Sequence, residues 1–245
     1  MNEELSILRN KEYPGRVIII GRDPTEKNVI VAYAITGRSP SSQARRIKIT
    51  EDGAWVEPTD ERTLSEGNRE LLIYPAILYG QGIAVSNGRQ TSSIVDNLSR
   101  ELDPEDILRS ALLHWDYEPD APTFTPRISG CVLSDGRAAL SIIKRGEGDS
   151  SLRRYFKIPM RAGKGKMIST YSGINRDPLP PFEGEPEDIP LIYGTAKETA
   201  EAIDLALSAP NPDGDFRVAV VCVFFTTQTA KFNISVINRS ENKTK

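Results

Sequence analysis

The feature that most limits how this chain can fold is a succession of short β-branched runs cut by polar turns. Arg16–Gly21 reads RVIIIG and Val29–Ile35 reads VIVAYAI, with the polar turn Asp23–Asn28 between them. Runs of this length suit strands, and strands this close in sequence pair as antiparallel neighbours. The same pattern continues at Ile47–Ile49, Leu71–Tyr79 and Gly82–Val85, with Gly80 and Gly82 marking the last connection. It returns at Arg127–Leu133 and Ala138–Lys144, joined by the hairpin turn Ser134-Asp135-Gly136-Arg137. Further strands are predicted at Arg154–Ile158, Met167–Tyr171, Phe216–Thr226 and Lys231–Ile237.

Between Thr91 and Trp115 the apolar spacing becomes helical. Ile94, Val95 and Leu98 share one face of a first helix. Asp103-Pro104-Glu105-Asp106 then supplies an N-cap, a first-turn proline and acids near the positive end of a second. Ile107, Leu108, Ala111, Leu112 and Trp115 continue it as a buried stripe. Asn175–Pro190 is proline-rich and reads as a rigid, extended loop. Thr195-Ala196-Lys197-Glu198 is a capping box opening a helix through about Leu207, and Asn211-Pro212-Asp213-Gly214 ends that segment.

The order is strands, two helices, strands, one helix, strands. Helices on the outer faces of two stacked sheets would cover every apolar face. The expectation is a single α+β domain over residues 1–245, a four-layer αββα sandwich with largely antiparallel sheets. Residues 1–13 form an N-terminal extension and 239–245 a flexible tail.

Composition narrows the function. With 31 Lys and Arg against 34 Asp and Glu, the net charge is −3, which argues against a nucleic-acid partner. The longest apolar run, Val218–Phe225, is well short of a membrane span. The N-terminus carries acids where a signal peptide needs a basic start, so a cytoplasmic protein without a membrane partner is expected. Cys131 and Cys222 stand far apart in apolar runs and read as buried, reduced thiols; with His114 the only histidine, no metal site is expected.

Three stretches carry polar chemistry. Gly37–Arg46 follows a strand with three arginines and three hydroxyls, suiting either a phosphate monoester or a solvated basic loop. Ser86-Asn87-Gly88, followed by Gln90, Thr91 and Ser92, suits an anion, a purine edge or an ordinary turn and cap. His114–Asp120 places acids at a helix C-terminus against the helix dipole, as a functional loop or an exposed acidic one. There is no GxSxG elbow, Walker loop or GxGxxG helix opening.

Several ordered motifs together resemble the archaeal-type IMP cyclohydrolases. They are Pro14-Gly15-Arg16, Ala32-Tyr33, Gly37-Arg38-Ser39, Ser41-Ser42-Gln43-Ala44-Arg45, Tyr79, Val85-Ser86-Asn87-Gly88, Asp116-Tyr117-Glu118 and Thr125-Pro126-Arg127-Ile128. Ile168-Ser169-Thr170-Tyr171 and the proline-rich stretch after it resemble related bacterial members. The resemblance implies a fold like the N-terminal-nucleophile hydrolases, here without an N-terminal nucleophile, because no Cys, Ser or Thr follows Met1. It implies dehydrative closure of 5-formamidoimidazole-4-carboxamide ribotide (FAICAR) to inosine 5′-monophosphate (IMP), with no cofactor, by a homo-oligomer. A diverged nucleotide or carboxamide hydrolase and a non-catalytic purine-nucleotide-binding protein are the alternatives on the same fold.

Carried over by motif, the reactive-centre residues are Arg45, Tyr79 and Glu118, with Arg46 an alternative for Arg45. Glu118 would move a proton from the carboxamide or hold that group. Tyr79 would donate to the formyl oxygen, and Arg45 would stabilise developing negative charge. Arg38, Ser39 and Arg127 would contact phosphate or nucleotide, and Ser86, Asn87 and Gly88 the base. If Tyr79 and Glu118 act on one ring, they must converge on it.

Overall fold

A computed structural model describes residues 5–60, 73–208 and 214–242. The first two runs pair as foreseen: β1 (Arg16–Arg22) and β2 (Asn28–Thr36) are antiparallel, with Ile18 opposite Tyr33. β3 (Arg45–Thr50), β4 (Gly53–Pro58), β5 (Tyr74–Tyr79), β6 (Gly82–Ser86), β7 (Arg127–Leu133), β8 (Ala138–Arg145) and β9 (Ser151–Lys157) follow. Adjacent in chain order, they form a seven-stranded antiparallel sheet. β10 (Lys164–Ser169), β11 (Glu187–Pro190), β12 (Arg217–Thr226) and β13 (Lys231–Asn238) join the first pair in a six-stranded sheet, ordered β11-β10-β1-β2-β12-β13. Every pairing in it is antiparallel. This is the α+β class with antiparallel sheets that the alternation of runs and turns implies.

Period-two burial explains how the sheets stack. Ile18, Ile20, Val31 and Tyr33 of one sheet share a core with Val56, Ile77, Val85, Ile128 and Leu140 of the other. The opposite face of the six-stranded sheet packs Ile19, Ala32, Val220 and Cys222 against Leu8 of α1 (Ser6–Arg9) and Ala200 and Ile203 of α5 (Ala196–Ala206). The outer face of the seven-stranded sheet packs Ala84, Cys131, Ala139 and Ile143 against Ile94 of α3 (Gln90–Asp96) and Ile107 and Leu108 of α4 (Pro104–Ala111). A short α2 (Pro40–Gln43) precedes β3, and α6 (Arg239–Asn242) follows β13. Among the described residues, no helix is long and apolar enough to cross a membrane.

Several boundaries differ from expectation for local reasons. Asp103 stands at the N-cap of α4, but its side chain makes no capping bond. That helix stops at Ala111, and the chain reaches Trp115 through tightened turns, Leu113 N–H to Ser110 O and Trp115 N–H to Leu112 O. β4 escapes a periodicity reading because Gly53, Glu57 and Pro58 dilute its apolar alternation. β11 lies inside the proline-rich stretch and covers the β10 edge. β10 ends at Ser169, two residues before the expected end, while Thr195 caps α5 by accepting the Glu198 N–H at 3.1 Å, as the capping box requires. The extension and tail are partly tied down: Leu5 and Leu8 are buried, and Arg239 pairs with Asp204. Leu71 and Leu72 of the expected strand Leu71–Tyr79, and the turn residues Asn211–Asp213, lie outside the described residues.

One irregularity decides where the tyrosines go. Ala54 pairs with Ile77 but Trp55 pairs with Pro75, leaving Ala76 as an extra residue in β5. Such a bulge reverses the alternation along the strand, so Tyr74 and Tyr79 both pack toward the core between the sheets. They stand at opposite ends of it, roughly 17 Å apart at about 3.3 Å per residue.

Candidate active site

Two polar cavities open at the end of the sheets that carries Arg16, Tyr74, Ser86 and Arg127. The first, about 390 Å³, is lined by Arg16, Arg38, Ser39, Ser41, Ser42 and Arg45 together with Glu118, Asp120, Thr125, Tyr13 and Tyr171. The second, about 380 Å³, is lined by Tyr74, Asn87, Gly88, Arg89, Trp115 and Arg127 among others. Glu118 lines both.

Glu118 belongs to the segment between α4 and β7. Its N–H donates to Thr125 O at 2.9 Å, which folds that segment back on itself. The residue is 7% exposed. Asn87 Nδ2 donates to its Oε1 at 3.3 Å, and Arg127 Nη1 lies 3.7 Å from the same oxygen. Burial pushes the Glu118 carboxyl up to about 7, against the pull of Arg127, Arg16 and Arg45 and with help from Asp120. A carboxyl poised there can both take and return a proton near neutrality.

Arg45, the first residue of β3, points inward and is 2% exposed, whereas Arg46 points outward to Glu57. Of the two candidates, Arg45 is therefore the one at the cavity. Its Nε donates to Ser42 O at 2.9 Å, while its Nη2 is enclosed with no hydrogen-bond partner. Burial first, and then the neighbouring Arg16, pull its guanidinium down to about 10. Arg16 Nε is likewise enclosed and unpartnered. A buried and a half-buried arginine, each with an enclosed, unused donor and both lining this cavity, favour an anion or a developing oxyanion.

Arg38 lies over the Tyr13 ring at 5.2 Å and bonds Asn175 Oδ1 at 3.1 Å and Asp177 Oδ1 at 2.7 Å. Ser39 caps α2, its hydroxyl accepting the Ser42 N–H at 3.1 Å. Asn87 is held on all sides: Nδ2 donates to Pro126 O, and Oδ1 accepts from Ile128 N and Gln90 Nε2. Arg127 stacks over Trp115 at 5.1 Å and donates to Asp116 O and Gln90 Oε1. A side chain at Gly88 would bring Cβ within 2.6 Å of Gln90 Oε1 and 2.7 Å of Arg127 Nη1, so glycine is what lets Arg127 lie there. Ser86 is fully buried, its hydroxyl engaged with Gly88 O and Thr91 Oγ1.

The structure thus brings Arg38, Ser39, Arg45, Asn87, Gly88, Glu118 and Arg127 to the two cavities. It does not bring Tyr79. That side chain stacks on Phe232 at 4.3 Å, at the far end of the sheets, and burial raises its pKa. Tyr74 lines the second cavity instead, its hydroxyl 2.9 Å from that of Tyr33. His114 is exposed and lines neither cavity. Sequence reasoning missed Tyr74, Arg16 and Asp120 as site residues. Arg16 sat in a quoted motif, and Tyr74 heads the same strand as Tyr79.

A family model described as IMP cyclohydrolase-like protein matches residues 13–226, a span that contains every cavity residue named above. The chain belongs to the IMP cyclohydrolase-like family. A protein named IMP cyclohydrolase from Methanopyrus kandleri is 28% identical over 186 residues, covering 70% of this chain and 89% of that relative. Another of that name from Methanococcus aeolicus is 28% identical over 160 residues, covering 65% and 74%. One from Halobacterium salinarum is 31% identical over 133 residues, covering 54% and 63%. As a member of the IMP cyclohydrolase-like family, the chain holds its polar cavities within the span that the family model matches.

Proposed function

We propose that this chain is an IMP cyclohydrolase, closing FAICAR to IMP with loss of one water. The observation that carries the reading is Glu118: a buried carboxyl with a pKa near 7, on the wall shared by two arginine-bearing cavities. Family membership and the names of the relatives support the substrate.

In the reaction the carboxamide nitrogen attacks the formyl carbon on the same ring. Proximity is built into the substrate, so the protein's work is to fix the rotamer, move protons and stabilise the oxyanion. Glu118 takes a proton from the carboxamide nitrogen as the C–N bond forms. Arg45, through its unpartnered Nη2, stabilises the alkoxide that develops on the former formyl oxygen. Glu118 returns that proton to the alkoxide, giving a carbinolamine; the hydroxyl then takes a second proton and leaves as water while the former formamide N–H is lost and the ring C=N bond forms. Tyr74, which lines the second cavity with Glu118, takes the role expected of Tyr79. Arg38 and Ser39 receive the phosphate. Asn87, Gly88 and Arg127 hold the ring and its carboxamide, whereas the Ser86 hydroxyl is already spent on its turn. The helices outside both sheets support the αββα layering of N-terminal-nucleophile-hydrolase-like folds.

The test is IMP formation from FAICAR by purified protein, followed spectrophotometrically. Enzyme-dependent formation, abolished by Glu118→Gln, is the expected result. Tight IMP binding without turnover would instead identify a nucleotide-binding protein, and neither binding nor turnover would remove the nucleotide reading altogether.

A further inference from the structure

Asp120 stands two residues beyond Glu118 and lines the first cavity with it. Its carboxylate accepts the Thr125 N–H at 2.7 Å and the Thr125 hydroxyl. Its backbone carbonyl accepts the N–H groups of Thr123 and Phe124, at 3.0 and 3.1 Å. Thr125 O in turn accepts the N–H of Glu118. The aspartate therefore closes the loop whose opposite limb carries the base. Thr125 Oγ1 also meets Tyr171 OH at 2.8 Å, and Tyr171 stacks on Tyr13 at 5.7 Å, which anchors the loop to the six-stranded sheet side of the cavity.

Both oxygens of Asp120 are taken by Thr125, so it is badly placed to act as a second base. What it adds to the cavity is a fixed charge. The other charged groups acting on Glu118 are Arg127 from β7, Arg16 from β1 and Arg45 from β3, all cationic and all favouring its ionised form. Asn87, after β6, is a neutral donor to it. Asp120 is the negative partner in this set, and like charges on one site oppose each other's ionisation.

We propose that Asp120 is a positioning residue for Glu118, clasping the turn that carries it and setting a second negative charge on the wall of their shared cavity. The role rests on Glu118 being the proton-transfer group. Without that charge three arginines act on Glu118 opposed only by burial. The carboxyl then becomes a weaker base toward the amide and is less often protonated near neutrality when the hydroxyl must leave.

Asp120→Asn keeps a side chain that can accept from Thr125 N–H and donate to Thr125 Oγ1, so the charge is the main loss. The measurement is a 13C NMR titration of the Glu118 carboxyl in the full chain, assigned by the signal missing in Glu118→Gln. The midpoint is expected to fall by about half a pH unit or more in Asp120→Asn. An unchanged or higher midpoint overturns the proposal. Should Asp120→Asn fail to fold, Asp120→Ser removes the same charge and carries the same expectation. The acid limb of kcat/KM with FAICAR should move down in step; a limb that stays put while activity falls would mark a merely structural aspartate. If the wild type does not turn FAICAR over, the functional reading fails, while the carboxyl titration still decides the role of Asp120.

Discussion

The hydroxyls of Tyr33 and Tyr74 meet at 2.9 Å, joining β2 of the six-stranded sheet to β5 of the seven-stranded one. Both rings are fully buried, and burial, then Tyr74, raise the pKa of Tyr33 so that it stays neutral. When Tyr33 donates in this pair, the Tyr74 hydrogen is left free at the cavity that Tyr74 lines. Tyr74→Phe should therefore lower kcat about tenfold or more. It should also cost about 1–3 kcal/mol in urea denaturation, because the Tyr33 hydroxyl is stranded. Tyr79→Phe should leave kcat within about twofold and should not destabilise, since the Tyr79 hydroxyl has no partner to lose. A tenfold loss from Tyr79→Phe alone would return the reaction to the other end of the strand.

Glu118 makes activity and stability respond to pH in opposite senses. As the base it must be ionised in the free enzyme, so kcat/KM should fall as pH drops below about 7. For stability, the folded carboxyl keeps its proton up to about 7, while the unfolded one releases it near its ordinary value of 4.5. Between those values the folded state binds more protons, so its contribution to stability is lost as pH rises through that window. The full effect is on the order of 3 kcal/mol as an upper bound. Glu118→Gln should flatten the stability profile over this window, read by urea midpoints at pH 5 and pH 8, while abolishing ring closure.

Much of the fold was legible because its strands are short β-branched runs with turns between, and its main helices keep a regular apolar stripe. Residues such as Ile18, Val31 and Val220 alternate cleanly between the two faces of one sheet. The site was half legible. Arg45 and Glu118 lie in motifs with unusual local chemistry, a basic, hydroxyl-rich stretch before a strand and acids after a helix C-terminus. Tyr74 was not visible, because the Ala76 bulge that turns both Tyr74 and Tyr79 inward is a pairing irregularity between two strands. Nothing in the composition of YPAILY reports it. Asp120 lay in the flagged acidic stretch, but its role was hidden for a similar reason, since it comes from Thr125 five residues later closing the same loop.

Arg45 should trade stability for function. It is a buried cation with one enclosed nitrogen unpartnered, an arrangement that burdens the fold unless an anion arrives. Arg45→Met keeps most of the volume and removes the charge. It should leave the thermal midpoint unchanged or raise it, while cutting kcat by about 100-fold or more. Differential scanning calorimetry alongside steady-state kinetics checks both halves. A variant that is inactive and strongly destabilised would mean that Arg45 serves the fold.

Arg38 is engaged by the protein's own acid before any phosphate reaches it. Its fork is divided between Asn175 and Asp177, and the Asp177 side chain is 84% exposed. An exposed ion pair of this kind contributes little, whereas a phosphate dianion offers the same guanidinium a stronger charge-assisted contact. The substrate should therefore displace Asp177 rather than compete with it evenly. Arg38→Ala should raise KM about tenfold or more while leaving kcat within about threefold, the pattern of an interaction made equally in ground and transition states. Asp177→Asn should act in the reverse sense, lowering KM by about twofold or more at low salt, with the gain shrinking as ionic strength screens the pair. If Arg38→Ala instead lowers kcat at unchanged KM, this arginine belongs to the reacting end of the substrate, and the phosphate must be sought at the second cavity beside Arg127.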